Sequence, residues 1–463
     1  MPLETNLPGV LSDADGKALF TKIRQMTTGG GDTVLTIRSR QSGSTTWARN
    51  RITLASETRT INLTIERKTL RGRASITTTQ TDDAGLRTAV QQVEEAASID
   101  QVPFVRGLPS VSNQEIAHPT LWSDATAHFS SGDRTALVNS LIAPSMAAGM
   151  LSAGKLQTTA DAHMTINAEG TFRYYPVTTV DCSVTTRNAT GTASGWAGTN
   201  HYALEKIDPK ALAARALDKC QASVDPRAVE PGHYTVILEP QAVADLLTPM
   251  IGLPTNSMDR YAAEVMSVGP FSHGSDGSRI GERILDDRLI LHSDPMDVDG
   301  GFLPYVESDG IPYRPASWVD RGILKELGYH LGYAQWKLHR KEALPCPESY
   351  RLMAAPNVQT RSVEEMIAST DRGLLVTRFY DVRCIDGGNL LCTGVTRDGL
   401  WLIQQGKITR PVKNFRFRES PLYVLNRVVN IGVPVRVFSP DRAWIVPAIQ
   451  SHDFSFTSLS DAV

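Results

Sequence analysis

The stretch YTVILEPQAVADLL, Tyr234 to Leu247, decides how this chain is read. Tyr234 to Leu238 is a short apolar run, as a buried strand is, and residues 241–250 read as a helix. Before this junction the sequence mixes helical and strand patterns. After it, from Arg288 onward, short strands dominate. The expectation is an α+β protein, with an N-terminal helix-and-sheet domain over 1–230 and a β-rich C-terminal domain over 231–463.

Upstream, Asp208-Pro209 starts a helix: Asp caps free N–H groups, and Pro at the first position has no N–H to leave unpaired. Ala213, Ala216, Leu217 and Cys220 then form one apolar stripe, which makes Cys220 a small core residue. Thr-rich strands are expected between Leu156 and Trp196, and a helix from Asp133 to about Leu151. Residues 101–130, with Pro103, Pro109 and Pro119, read as irregular. Nearer the start, Ser12 caps a helix over 12–28 that Gly29-Gly30-Gly31 stops. Val34, Leu35 and Ile37 begin a strand; Ile61, Leu63 and Ile65 alternate in another, and Ala74 and Ile76 mark a third. Leu86, Val90, Val93 and Ala97 give 83–97 a helical stripe that can cover the sheet.

Downstream, residues 256–267 read as helix and Gly269 to Gly281 as a loop. Strands are expected at Leu289–His292, Phe302–Val306, Ile311–Tyr313, Ile323–Leu327, Leu374–Phe379, Leu390–Leu402, Val435–Phe438 and Ala443–Val446. Ser362 and Glu365 have capping-box spacing before Met366 and Ile367.

Over 463 residues the hydrophobic content is 41% and the charged content 21%, which excludes disorder as an account of the whole chain. Lys and Arg total 47 against 49 Asp and Glu, so the overall charge gives no nucleic-acid footprint. No apolar stretch approaches the roughly 20 residues of a membrane-spanning helix, and Met1 to Lys17 lacks the pattern of a secretory signal. Five scattered cysteines, Cys182, Cys220, Cys346, Cys384 and Cys392, fit a reducing compartment, and the expected location is the cytoplasm.

The catalytic motifs are absences. None of the ten histidines is followed by Glu, so neither HExxH nor HExxxH occurs. Those motifs place two imidazoles and a Glu around a metal-bound water. His330 and His339, and Cys384 and Cys392, lack ligand spacing. Lys17, Lys155 and Lys407 follow glycine without the Ser or Thr a phosphate loop needs. GxGxxG and GxSxG are missing. Asp297-Val-Asp-Gly opens like a calcium loop, but the twelfth position is Ser308, so a strand–turn–strand connection is expected.

Six segments in order nevertheless resemble the TldD/PmbA family, described as modulators of DNA gyrase and as peptidases. They are the strand and helix at 234–246; Gly269, Gly277 and Gly281 followed by Glu282-Arg283-Ile284 and the strand to Asp294-Pro295; Glu307-Ser308-Asp309-Gly310-Ile311-Pro312; Arg321-Gly322-Ile323-Leu324; Leu391-Cys392-Thr393-Gly394; and Leu400 to Val412, with Gly406-Lys407-Ile408 and Pro411-Val412. The resemblance covers about 233–450. Its TldD kind of subunit carries HExxxH on the helix after the strand, and a C-terminal cysteine. Here that helix begins Pro240-Gln241-Ala242-Val243-Ala244-Asp245-Leu246, and Val433 to Val446 holds no cysteine.

The resemblance therefore implies the PmbA (TldE) kind, a non-catalytic subunit of a heteromeric TldD-type zinc metalloprotease acting on unfolded or leader peptides. It implies no catalytic, cofactor-binding or metal-binding residue in this chain, with zinc in a TldD-type partner. Expected partners are that subunit, unfolded peptide and, failing a heteromer, a second copy, with no nucleic acid and no membrane. Asp309, Gly310, Thr393 and Gly394 are the turns expected at a peptide or subunit interface. A β-rich wall can accept an extended peptide as an added strand. Asn414 to Arg418, with Phe415 and Phe417 on one face and Arg416 and Arg418 on the other, is one candidate. The alternatives are a stand-alone hydrolase with an unrecognised site and an interaction protein with no peptidase role.

Overall fold

The structure, a computed structural model, describes residues 9–28, 30–99, 119–252, 258–300, 312–347, 349–439 and 442–460. Helix α1 (Asp13–Met26) begins with a full capping box: Ser12 Oγ accepts from the Asp15 amide at 3.2 Å, and the Asp15 carboxylate accepts from the Ser12 amide at 2.9 Å. Strands β1 (Asp32–Ala48) and β2 (Arg51–Lys68) form a long hairpin. Its two turn residues, Arg49 and Asn50, both have positive φ, 50° and 62°, as the tight turn that matches strand twist requires. After β3 (Arg73–Thr78) comes α2 (Asp83–Ala97), whose expected stripe of Leu86, Val90, Val93 and Ala97 is buried.

The irregular stretch expected over 101–130 lies partly outside the described residues, but its end contains a short helix, α3 (Asp124–Ala127), capped by Ser123. Helix α4 (Ser131–Ala147) starts earlier than expected. Asp133 does not open it; its carboxylate reaches back to the amide of Ser130, which is the cap. The helix also stops short, because Gly149 turns the chain at φ 69° and Leu151 begins the next strand.

Strands β4 (Leu151–Asn167), β5 (Phe172–Arg187) and β6 (Ser194–His201) complete an antiparallel sheet of order β3-β2-β1-β4-β5-β6. Helix α5 (Pro209–Ala222) is capped by Asp208 on the Ala211 amide at 3.0 Å, and Cys220 is fully buried, as expected.

The helices lie on one face of this sheet. Leu35, Ile37, Leu63, Ile65 and Met164 pack against Leu19, Ile23, Leu86, Val90 and Val93. Trp47, Leu156, Val180 and Val184 pack against Val138, Leu141, Leu212 and Ala216. Each large aliphatic side chain removed from water contributes about 1.5–3 kcal/mol.

The second half begins with β7 (Gly232–Leu238) and α6 (Pro240–Gly252). The helix expected over 256–267 is only α7 (Arg260–Glu264), capped by Asp259. Then follow β8 (Leu289–Ser293), β9 (Ala316–Asp320), β10 (Ile323–Leu324), α8 (Leu331–Trp336) and β11 (Ser349–Ala354). Of the strands expected at Phe302–Val306 and Ile311–Tyr313, the first and the start of the second fall outside the described residues. The box at Ser362 and Glu365 forms and opens α9 (Val363–Ala368).

Strand β12 (Arg372–Val376) ends before β13 (Phe379–Asp386), and the single strand expected over Leu390–Leu402 is two, β14 (Leu391–Thr396) and β15 (Leu400–Gln404). Asp398 and Gly399 separate them at φ 58° and 137°. The chain continues through β16 (Lys407–Pro411), β17 (Phe415–Glu419), α10 (Pro421–Val424), β18 (Val428–Ile431), β19 (Val435–Val437), β20 (Ala443–Val446) and β21 (Ile449–Leu459).

Among the described residues these strands build two sheets. One has the order β10-β9-β8-β11-β20-β19, the other β13-β14-β17-β21-β7-β12-β15-β16, with β18 on β21. A single apolar cluster that includes Val236, Leu246, Leu291, Trp318, Leu374, Phe417 and Trp444 joins them. Strand β7 is central, parallel to β12 and antiparallel to β21. The fold is α+β.

Candidate functional site

Helix α6 leaves the buried end of β7, and its side chains Ala242, Val243, Ala244, Leu246, Leu247 and Met250 are all buried. Such a helix has little solvent face on which to hold a charge, and Thr248 is its one exposed side chain among those described. Its one acid, Asp245, is nevertheless half-buried and turned toward its neighbours. Gln241, one turn earlier, donates from Nε2 to Asp245 Oδ1 at 2.9 Å and to the Phe438 carbonyl at 3.0 Å. The Phe379 amide donates to Asp245 Oδ2 at 2.9 Å. Burial pushes the Asp245 carboxyl up to about 6, against the opposing pull of Arg378 and these hydrogen bonds.

Around this pair, Lys219 Nζ meets Glu239 Oε2 at 2.6 Å. The Arg378 guanidinium lies 4.2 Å from the Trp196 ring centre and 3.5 Å from Asp398 Oδ2. Both oxygens of Asp245 are occupied by structural donors. A zinc ion bound by N and S ligands in tetrahedral array finds neither histidine nor cysteine on α6, so these residues do not fit one. Among the described residues no group of three or more His, Cys, Asp or Glu is placed to hold a metal ion.

The same elements form a seam between the N-terminal sheet and the sheets that follow. Arg436 on β19 donates from Nε to the Asn200 carbonyl on β6 at 2.7 Å, and from Nη1 to the Asp299 carbonyl. Asn200 returns a bond to the Ser439 carbonyl at 2.6 Å, and Trp401 Nε1 donates to the Ala222 carbonyl at 3.0 Å. Along the seam opens a cleft of about 370 Å³, lined by Ser194, Ser223, Asp225, Gly399 and Lys413 among others. Its lining mixes hydroxyls with one cation and one carboxylate, and shows no paired acid and base.

The residues singled out from sequence do not converge there. Thr393 sits inside β14 and donates its hydroxyl to the Phe417 carbonyl at 2.9 Å. Gly394 gives way to the Phe417 ring: a Cβ there would stand 2.7 Å from Phe417 Cε1. Both positions lie within a strand and not in a turn. Asp309 and Gly310 lie outside the described residues, though the turn that leads toward them is anchored at the seam. Asp297 Oδ1 accepts from the Asp299 amide at 3.1 Å and the Gly300 amide at 3.2 Å, while Oδ2 pairs with Arg351. Of the strand–turn–strand connection expected in place of a calcium loop, the first strand and this turn are described, and the second strand lies outside the described residues.

Phe415 and Phe417 are buried and Arg416 and Arg418 exposed, as their alternation predicted. Strand β17 nevertheless lies between β14 and β21. All its backbone sides face neighbours, so it is not an edge open to an added strand, which corrects its candidacy.

The open edge is elsewhere. Strand β3 pairs only with Leu63 to Lys68 of β2. The preceding stretch, Arg51 to Asn62, pairs with β1 on one side and with no strand on the other, among the described residues. It is largely exposed, with Leu54 at 55%. Sequence reading began this strand only at Ile61. The available signal was Asn50, whose type tolerates the left-handed turn, followed by β-branched Ile52, Thr53, Thr58 and Thr60.

Residues 231–458 match the family signature described as the PmbA/TldA metallopeptidase C-terminal domain. The chain belongs to the TldD/PmbA family. Its fold is shared almost end to end with solved TldD/PmbA proteins. A protein described as a modulator of DNA gyrase from Bacteroides thetaiotaomicron superposes with a TM-score of 0.79 at 16% identity, over 97% of this chain and 100% of that one. TldE from Thermococcus kodakarensis gives 0.79 at 14% identity, over 96% and 100%. A second protein described as a modulator of DNA gyrase, from Thermotoga maritima, gives 0.76 at 14% identity, over 96% and 100%. No curated protein sequence matches the chain. At these identities the structures establish the fold and leave activity to the site.

Proposed function

We propose that this chain is a TldE-like, non-catalytic subunit of a heteromeric TldD-type protease, with zinc and the catalytic groups carried by the partner. One observation carries the reading: on α6, where the TldD kind has HExxxH, this chain has Gln241 and Asp245 locked to each other and to the Phe379 and Phe438 backbone. A helix whose amide and carboxyl side chains are both spent on holding neighbouring segments serves the scaffold. The open edge of β2 supports the reading from the other side, because an extended peptide or a partner strand gains a row of backbone hydrogen bonds there.

The test mixes this chain with a TldD-type subunit. A stable complex on a sizing column, with chelator-sensitive cleavage of an unfolded peptide faster than the partner achieves alone, is expected. A chain that stays apart from its partner, and leaves the partner's cleavage unchanged, defeats the proposal. Metal analysis of the isolated chain after dialysis is expected to find no stoichiometric zinc; one tightly held ion per chain would overturn the non-catalytic assignment.

A further inference from the structure

Cys384 and Cys392, eight residues apart with no metal-ligand spacing, face each other across a ladder. Strands β13 and β14 are antiparallel, and their register sets Cys384 directly opposite Cys392. Directly opposed residues in such a pair have Cα atoms about 4.5–5.5 Å apart, inside the roughly 4.4–6.8 Å range that a disulfide spans. Both side chains lie on the core face: Cys392 is fully buried, and Cys384 is half-buried and packed against the same cluster. Neither has spent its sulfur on a strong partner. Cys384 Sγ reaches the Asp386 carbonyl at 3.3 Å and Cys392 Sγ the Leu390 carbonyl at 3.5 Å, both weak bonds within the hairpin. Strand β13 is the outermost strand of its sheet among the described residues, and a bulge follows Cys384. One thiol is thus reachable from solvent and its partner waits behind it.

We propose that Cys384 and Cys392 form a reversible cross-strand disulfide, with Cys384 the attacking thiol and Cys392 the resolving one. The oxidant is a low-molecular-weight disulfide. Cys384, as thiolate, attacks one sulfur of the oxidant, forms a mixed disulfide and releases the first thiol. Cys392, as thiolate, then attacks Cys384 Sγ, displaces the second thiol and closes the internal bond. The two protein thiols lose two protons and two electrons, and the oxidant gains both. Burial, and secondarily the neighbouring Cys384 thiol, push the Cys392 thiol up to about 12. Closure should therefore be the slow step and should quicken by about tenfold for each pH unit as more thiolate forms.

The full chain is incubated with glutathione disulfide, alkylated under denaturing conditions and mapped by mass spectrometry. Wild type is expected to pass through a mixed disulfide at Cys384 to a cross-linked 384–392 peptide about two mass units lighter than the reduced pair. Cys182, Cys220 and Cys346 are expected to remain alkylated. Cys392→Ser is expected to stop at the mixed disulfide and Cys384→Ser to stay reduced at Cys392. Cys392→Ala repeats the arrest with an apolar replacement, should serine unsettle the core. A wild-type chain that stops at the mixed disulfide, stays reduced, or links either thiol to Cys346 overturns the proposal.

Discussion

Replacing Asp245 by Asn removes a carboxyl from a site where the folded chain prefers it protonated. Burial moves that carboxyl from 3.8 to about 6, which corresponds to roughly 3 kcal/mol against the ionised form. The raised folded-state value means that the native chain binds the proton more tightly than the unfolded chain. Stability from this group is therefore fully present below about pH 4 and is lost as pH rises through about 6.

Proton release reads this directly, without requiring that a chain of several sheets unfold in one step. At pH 5 the native carboxyl is about nine-tenths protonated and the unfolded one less than about one-tenth, so unfolding should release roughly 0.8 of a proton from this position. Wild type and Asp245→Asn, unfolded by guanidinium in weak buffer under a pH-stat, should differ by that amount at pH 5 and by almost nothing at pH 8. Asn keeps an oxygen for the Phe379 amide but cannot also accept from Gln241 Nε2, so one hydrogen bond worth about 1 kcal/mol is given up at every pH. Equal proton release at pH 5 would show Asp245 ionised in the folded chain, and the account of α6 as a closed structural element would fail.

Three other substitutions test separate parts of the molecule. Gly394→Val must displace the Phe417 ring, an overpacking that should cost about 1–3 kcal/mol in thermal unfolding; a variant as stable as wild type refutes the close fit. Asn50→Ala forfeits the bonds from Asn50 Nδ2 to the Met150 carbonyl at 2.8 Å and from the Ser152 amide to Asn50 Oδ1 at 2.6 Å. With the left-handed turn penalty added, about 2–4 kcal/mol should be lost, visible as faster amide exchange across the β1–β2 turn, and unchanged exchange counts against it. Arg436→Met removes the donor that grips Asn200 and Asp299, so calorimetry should show the N-terminal sheet melting separately from the rest; a single unaltered transition would mean that the aromatic and backbone contacts hold the seam unaided.

Local chemistry was legible in the sequence. Ser12, Asp208 and Ser362 each satisfy helix N–H groups within three residues, so their helices begin where their residue types say. Strands β11 and β21 were missed because their pairing comes from far along the chain, as with Ser349 opposite Ala443 and Ile449 opposite Leu238. Asp245 was visible as an acid in an apolar helix, but its partners at Phe379 and Arg378 belong to another strand junction. Family motifs at Thr393 and Gly394 marked strand packing, a demand on backbone spacing that a short motif cannot distinguish from a demand on ligand binding. The expected strand at Phe415 was correct in its two faces, yet nothing local could say that both its edges were taken.

Strand β7 pairs with β21 on one side and β12 on the other, and β21 begins roughly 210 residues after β7 ends, so at a synthesis rate of about 5–20 residues per second β7 emerges from a ribosome some 10–40 s before its last neighbour exists. The antiparallel sheet β1 to β6 has no such debt to later sequence and can close while the remainder is still being made. During that interval the apolar run at Tyr234 to Leu238 stands next to a finished sheet with the β21 side of its backbone unpaired. Nascent-chain arrest just before Ile449 should therefore yield a protease-resistant N-terminal core and a tail that chaperones hold, and release of β21 should be the event that frees it.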